Sequence, residues 1–171
     1  MVQVREMREA DIEAVSAIRV RGWQSAYAGL VPRSYLTRMT VEDDACRRRI
    51  WFSHPERQST DLTALHGHTP VGWISFGPWR GKEPELDDAG EVYALYVRPG
   101  LTGQGIGSAL LGETHARMRQ QGFTASLLWV LSDHAGARRF YQRAGYRSDG
   151  VVQGDVYDDV TLTETRYRYA W

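Results

Sequence analysis

One stretch past the middle of the chain restricts the fold more than any other. Val92-Tyr-Ala-Leu-Tyr-Val97 is a continuous apolar run, followed by Arg-Pro-Gly-Leu-Thr and then Gly103-Gln-Gly105-Ile-Gly107-Ser108, which opens directly onto a helical pattern. A continuous apolar strand is usually covered on both faces, so the run predicts a sheet with helices on either side. From Gln104 to Gln121, Ile106, Leu110, Thr114 and Met118 form an i+4 row, and Gly122 stands where a glycine ends a helix. Glycines at 103, 105 and 107 predict bare backbone N–H groups at the start of that helix. The peptide dipoles place about half a positive charge there. A phosphate or pyrophosphate suits such a spot.

A bare glycine loop leaves alternatives open. A P-loop requires a lysine after its last glycine, and none is present. A dinucleotide loop requires a third glycine where Ser108 stands, and further βαβ units than the remaining chain supplies. A nucleotide site and a tight turn without a ligand both remain as readings of the loop by itself.

The flanking sequence predicts the other elements. Val2 to Met7 alternates as a short strand. Ile12, Val15 and Ile18 recur at helical spacing behind Asp11, a capping residue, and Gly22 is expected to loosen that helix. Trp23, Tyr27 and Leu30 extend its apolar stripe until Pro32. Thr40 caps a second helix running to about Phe52. Asp61–Leu65 and Val71–Phe76 are strands, and Gly81 to Gly90 reads as an acidic surface loop. Ala125–Leu131 is another apolar strand. Ser132-Asp133 is placed to cap a helix carrying Ala137, Phe140, Tyr141 and Ala144, closed by Gly145. Tyr146–Gln153 and Val160–Tyr169 are two tail strands. No repeat or linker interrupts the chain, so a single domain over residues 1–171 is expected.

Charge and cysteine usage exclude several classes. Lys plus Arg and Asp plus Glu both number 21, so the net charge is zero, which argues against a general nucleic-acid binder. Cys46 stands alone, so no internal disulfide forms, and it is expected as a small packing residue in its helix. The five histidines have no cysteine partners and no HExxH spacing, so no metal site is expected. The charged N-terminus is unlike a signal peptide and no apolar run suits a membrane span, making a cytoplasmic protein the expectation.

The two halves of the central region together resemble the GNAT superfamily of N-acetyltransferases. The resemblance is carried by Leu95-Tyr96-Val97, then Gly103-Gln104-Gly105-Ile106-Gly107-Ser108, then His134-x-x-Ala137-x-x-x-Tyr141-x-x-x-Gly145-Tyr146. Two positions depart from the family pattern. Thr102 stands where a long Arg or Gln is usual, and His134 where Asn is frequent.

The resemblance implies an α/β fold: a central mixed, mostly antiparallel sheet of six to seven strands flanked by helices. It implies acetyl-CoA as cosubstrate. The pyrophosphate would sit on the amides of Gly103, Gln104, Gly105, Ile106, Gly107 and Ser108, and the pantetheine amides along Leu95, Tyr96 and Val97, with His134 as a further contact. Tyr141 would touch the cofactor and protonate the departing thiolate, and Glu91 would serve as general base, directly or through water. Trp23, Tyr27 and Trp79 are candidate acceptor-site aromatics. Acidic residues at Glu83, Glu85, Asp87 and Asp88, and at Asp155, Asp158 and Asp159, would attract a cation.

The expected function is acetyl transfer from acetyl-CoA to a primary amine of a small molecule, such as a polyamine, amino sugar or amino acid. A non-catalytic acyl-CoA sensor and a peptide or protein N-terminal acetyltransferase are the alternatives. The expected partners are a small-molecule amine, no nucleic acid, no membrane, and a homodimer through exposed tail-strand edges.

Overall fold

Bare glycine backbone at Gly72 and Gly107 sets two close helix approaches in this fold. The computed structural model describes residues 1–171. Its strands are β1 (Gln3–Glu6), β2 (Thr60–His66), β3 (Thr69–Pro78), β4 (Gly90–Val97), β5 (Ala125–Leu131), β6 (Arg147–Tyr157) and β7 (Val160–Ala170). They form one seven-stranded sheet in the order β1-β2-β3-β4-β5-β7-β6. Every neighbouring pair is antiparallel except β4 and β5. The helices are α1 (Ile12–Ala26), α2 (Arg33–Arg38), α3 (Val41–Phe52), α4 (Ile106–Gln120) and α5 (Ala135–Arg143).

Helices α4 and α5 cover one face over the main core of Leu62, Ile74, Phe76, Val92, Ile106, Leu110, Met118, Leu128 and Tyr167. α4 lies so close to β3 that a Cβ on Gly72 would stand 2.9 Å from both Ile106 and Leu110. α5 approaches α4 in the same way, because a Cβ on Gly107 would meet Phe140 at 3.2 Å. The opposite face is covered by α1 and α3 over Met7, Ile12, Val15, Ala45 and Trp73, and by α2 over Val31, Leu36, Leu131 and Tyr157. Gly22 does not loosen α1. Its bare backbone rests on the Tyr96 ring, 3.1 Å from where a Cβ would be, and so seats α1 on β4.

Several local expectations are corrected. Asp11 does not cap α1 with its side chain. Its carboxylate accepts from the Arg8 N–H at 2.8 Å and pairs with Arg5 at 2.7 Å, closing a short 3-10 turn. His134, rather than Ser132 or Asp133, caps α5. The region after Pro32 folds into α2. Cys46 is exposed on α3 rather than packed. Residues 81–90 are docked rather than free, since Leu86 and Ala89 are buried with Ala125 and Leu127. Two of the acidic residues expected to attract a cation are already paired: Glu83 with Arg166, and Asp158 with Arg38. β1 and β6 are the outer strands, and β6 exposes Val151, Val152 and Val156. No helix is long and apolar enough to cross a membrane, and no cluster of three metal-ligating side chains occurs.

The C-terminal strand is fastened by a partly buried polar chain. His115 Nε2 and the Tyr146 hydroxyl are 2.7 Å apart, and Tyr146 and Ser126 share a second hydrogen bond of 2.7 Å. The His115 ring stacks on Tyr169 at 4.7 Å. Burial, followed by the field of Arg119, lowers the His115 pKa from 6.5 to about 4.

Two measurements test this packing. Gly72→Ala forces Ile106 and Leu110 to shift, and urea unfolding should show a loss of about 1–3 kcal/mol. His115 folds neutral, whereas the unfolded chain protonates it near 6.5. Its contribution is therefore complete above pH 6.5 and disappears as pH falls from 6.5 toward 4. The melting temperature of the wild type should drop more steeply across that window than that of His115→Phe.

Candidate functional site

The site begins where the sheet comes apart. β4 and β5 pair in parallel only at Gly90 with Ser126 and Glu91 with Leu127. Beyond that, β4 stays with β3 as far as Val97, and β5 stays with β7 as far as Leu131. The register of β3 and β4 explains the parting. Ser75 faces Ala94 but Phe76 faces Val92, so Tyr93 is an extra residue in β4. A bulge of this kind bends its strand and increases the twist. It also resets the alternation: Val92, Leu95 and Val97 share the α4 side, while Ala94 and Tyr96 share the α1 side. One backbone edge of β4, through Leu95 to Val97, is left without a strand partner.

The glycine loop lies at the end of that opening. Gly100, Gly103 and Gly105 all have φ between 80° and 88°, with open space where a Cβ would stand. Backbone shape therefore requires glycine at these three positions. The first α4 bond runs from the Ala109 N–H to the Gly105 carbonyl at 3.0 Å. The N–H groups of Ile106, Gly107 and Ser108 are left without helical acceptors. Two refinements follow. The Ile106 side chain is buried in the core, so it can offer only its amide. Gly107 lacks a side chain because of Phe140, not because of the loop. The loop fits a pyrophosphate: three orphan donors, a helix N-terminus and unfilled space.

Phenols line the opening itself. The Tyr27 and Tyr96 hydroxyls are 3.4 Å apart. Trp23 packs edge-on against Tyr27 at 4.6 Å, and the His134 ring meets Tyr27 at 5.5 Å. Tyr141 projects from α5 with its ring against Phe140 and Tyr146, and its hydroxyl bonds to no other residue. Burial, then the Tyr27 and Tyr146 phenols, raise the Tyr141 pKa well above the ordinary value of 10.0. Burial does the same to Tyr96. Both groups hold their protons at neutral pH. His134 Nδ1 accepts from the Ala137 N–H at 3.3 Å, and burial lowers its pKa, so the ring is neutral. Its contribution is to cap α5, with only Nε2 left for a ligand.

Sequence-predicted residues thus form two groups. Trp23, Tyr27, Tyr96, His134 and Tyr141 gather at the opening. Glu91 and Trp79 stand apart from them, back where β4 and β5 are still joined. Glu91 is 2% exposed, and Arg80 meets it with the backbone N–H at 3.1 Å, Nε at 3.2 Å and Nη2 at 2.8 Å. It is neither a solvent-facing carboxylate nor a free base. Trp79 stacks on Trp129 at 6.2 Å and donates to Glu83 at 3.0 Å, with the Arg166 guanidinium 5.4 Å from its ring centre. Sequence reasoning missed Tyr157 and Glu164, which the tail hairpin brings beside Tyr27. Period-two alternation along Val160 to Tyr169 marked the strand but not which strand it would join.

An open parallel pair, an orphan-amide loop and a protonated tyrosine make a site suited to a phosphate-bearing ligand at the sheet opening. Comparison with known proteins agrees. Residues 23–146 match the family model described as "Acetyltransferase (GNAT) family". The chain is 29% identical over 148 residues to the uncharacterized N-acetyltransferase YuaI of Bacillus subtilis, covering 83% of this chain and 78% of YuaI. It is 23% identical to the spermidine N(1)-acetyltransferase of Thermoplasma acidophilum, over 90% of this chain and 93% of that one. Two solved structures share the fold along nearly the whole chain. The PaiA N-acetyltransferase of Thermoplasma acidophilum in complex with coenzyme A superposes with a TM-score of 0.75 at 18% identity, over 100% of this chain and 99% of that one. The ribosomal-protein-alanine N-acetyltransferase of Brucella melitensis gives 0.79 at 22% identity, over 99% of each chain.

The chain belongs to the GNAT acetyltransferase family. It is accordingly an N-acetyltransferase with acetyl-CoA as cosubstrate.

The Arg80–Glu91 pair yields a stability test. Arg80→Met strands a buried carboxylate, and because Arg80 itself reaches solvent the loss should fall near the low end for such pairs, about 3 kcal/mol. Adding Glu91→Leu should recover part of that loss in urea unfolding.

Proposed function

We propose that the protein acetylates a primary amine of a small molecule, such as a polyamine, amino sugar or amino acid, by direct attack within the ternary complex. The observation that carries this reading is the opening between β4 and β5. The orphan amides of α4 stand at its mouth, and the Tyr27, Tyr96 and Tyr141 hydroxyls line it.

In this reading the amides of Gly103 to Ser108 hold the pyrophosphate, the whole loop contributing backbone rather than side chains. The free edge of Leu95 to Val97 pairs with the pantetheine amides as an added strand would. That pairing satisfies backbone groups which the bulge leaves unpaired. His134 offers Nε2 to the same chain. Tyr141 gives its proton to the departing thiolate. A phenol of ordinary pKa would already favour the proton, and burial keeps it more firmly in place until the sulfur needs it.

Acceptor chemistry follows from the walls. Trp23 on α1 and Tyr27 at its C-cap make an aromatic side to the opening, which suits an amine small enough to lie against them. The similarity to the spermidine N(1)-acetyltransferase, over 90% of this chain, supports an acceptor of that kind. An alkyl amine has a pKa near ~10.4, so deprotonation at neutral pH costs roughly 4–5 kcal/mol. A proton acceptor on the amine side of the opening is required.

The test is Tyr141→Phe, assayed against a panel of polyamines, amino sugars, amino acids and peptide N-termini. We expect kcat to fall about 100-fold or more while acetyl-CoA binding is retained. Retention is read as thermal stabilisation, about 2.7 kcal/mol at 100 times the Kd. Unchanged turnover removes Tyr141 from the reaction. Binding without turnover of any amine by the wild type makes the protein an acyl-CoA sensor, and exclusive turnover of peptides makes it a peptide acetyltransferase.

A further inference from the structure

The parallel register locates the missing proton acceptor. Gly90 pairs with Ser126 and Glu91 with Leu127. Continued past the opening, the same register brings Leu131 level with Leu95 and, allowing for the bulge, Tyr96. Directly opposite Leu131 on β7 is Glu164, and opposite Glu164 on β6 is Gln153. Residues facing each other across an antiparallel pair point to the same side of the sheet. Glu164 therefore faces the α1–α2 side with Leu131, which packs there with Val31, Leu36 and Tyr157 beneath Trp23, Tyr27 and Tyr35. Glu91 is level with Leu127, four residues back, or about 13 Å along the strand.

Glu164 also has an unspent charge. It is half-buried, and its one side-chain bond is accepted from the Gln153 amide at 2.9 Å. No arginine or lysine pairs with it. The charged and titratable groups around it are Asp155 and Tyr157 on β6, Glu91 on β4, Tyr27 on α1, and Arg166 two positions along β7. The Arg166 guanidinium is occupied by Glu83 at 2.8 Å and Asp149 at 2.6 Å. Burial first, then the fields of Asp155 and Glu91, raise the Glu164 pKa above the ordinary 4.5, with the Gln153 bond opposing. Its own charge helps to raise Tyr27 and Tyr157. A half-buried anion beside aromatic rings and without a cation is costly, and a bound ammonium removes that cost.

We propose that Glu164 is the carboxylate that receives the ammonium of the acceptor and takes its proton. This rests on the amine-acetylating reading above. One proton passes from the nitrogen to Glu164. The nitrogen lone pair forms the C–N bond to the acetyl carbonyl carbon, the C–S bond breaks, and the sulfur takes the Tyr141 proton. The second surplus proton on nitrogen restores the Tyr141 phenol. Glu164, which reaches solvent, returns its proton to water, so each turnover releases one proton.

The test compares wild type, Glu164→Gln and Glu164→Asp with whichever amine the wild type acetylates. Glu164→Gln keeps the shape and the bond to Gln153. It should lower kcat/KM for the amine about 100-fold, leave the KM for acetyl-CoA and its thermal stabilisation unchanged, and abolish the acidic limb of the pH profile of kcat/KM. Glu164→Asp should retain the limb with reduced activity. An unchanged kcat/KM, or a higher amine KM with the acidic limb intact, overturns the role of Glu164 and leaves the amine reading standing. A wild type that acetylates no amine overturns both.

Discussion

The separation of β4 from β5 is the constraint on which the rest depends. Strands that part inside a sheet strand their backbone groups, and buried unpaired amides and carbonyls are costly. Here the parting coincides with one extra residue in β4, Tyr93, and both faces are packed at the opening. On one face, α1 sits against Tyr96 through the bare backbone of Gly22; on the other, α4 sits against β3 through Gly72. Neither helix could approach so closely with a side chain at those positions. The opening is thus a packed, pre-formed feature of the fold. The same α4 that closes the core presents the free amides of its first turn to that opening, where we propose the pyrophosphate binds.

Charge is distributed with the same economy. Two carboxylates, Glu91 and Glu164, lie on the α1 side of the sheet and have opposite circumstances. Arg80 surrounds Glu91 with three N–H groups and thereby ties the 81–90 segment to the base of β4. Glu164 has an amide for company and aromatic rings for walls. The phenols at the opening are pushed upward by burial and hold their protons at neutral pH, and burial also raises Glu164, the carboxylate proposed as acceptor.

Much of this was legible from residue order. The strand-loop-helix stretch from Val92 to Gln121, the Thr40 cap, the span of β5 and the closure of α5 by Gly145 all follow from local rules of periodicity, capping and glycine placement. Those rules act over a few residues, and the structure keeps to them. Gly107 was assigned to the loop for a local reason and proves to serve a distant contact with Phe140. Glu91 takes its expected general-base role from the family resemblance. Its occupation by Arg80 depends on how residues 79–90 fold back, which no spacing within β4 reveals.

The sequence by itself determined the strand-loop-helix unit, because that rests on backbone conformation and short-range pattern, and its motifs carried the family resemblance that implied acetyl-CoA as donor. Tertiary structure alone decided which side chains meet across the opening. Glu164 lies 73 positions from Glu91 and reaches the level of Leu95 because β7 inserts between β5 and β6, a choice of strand order that has no signature within β7 itself.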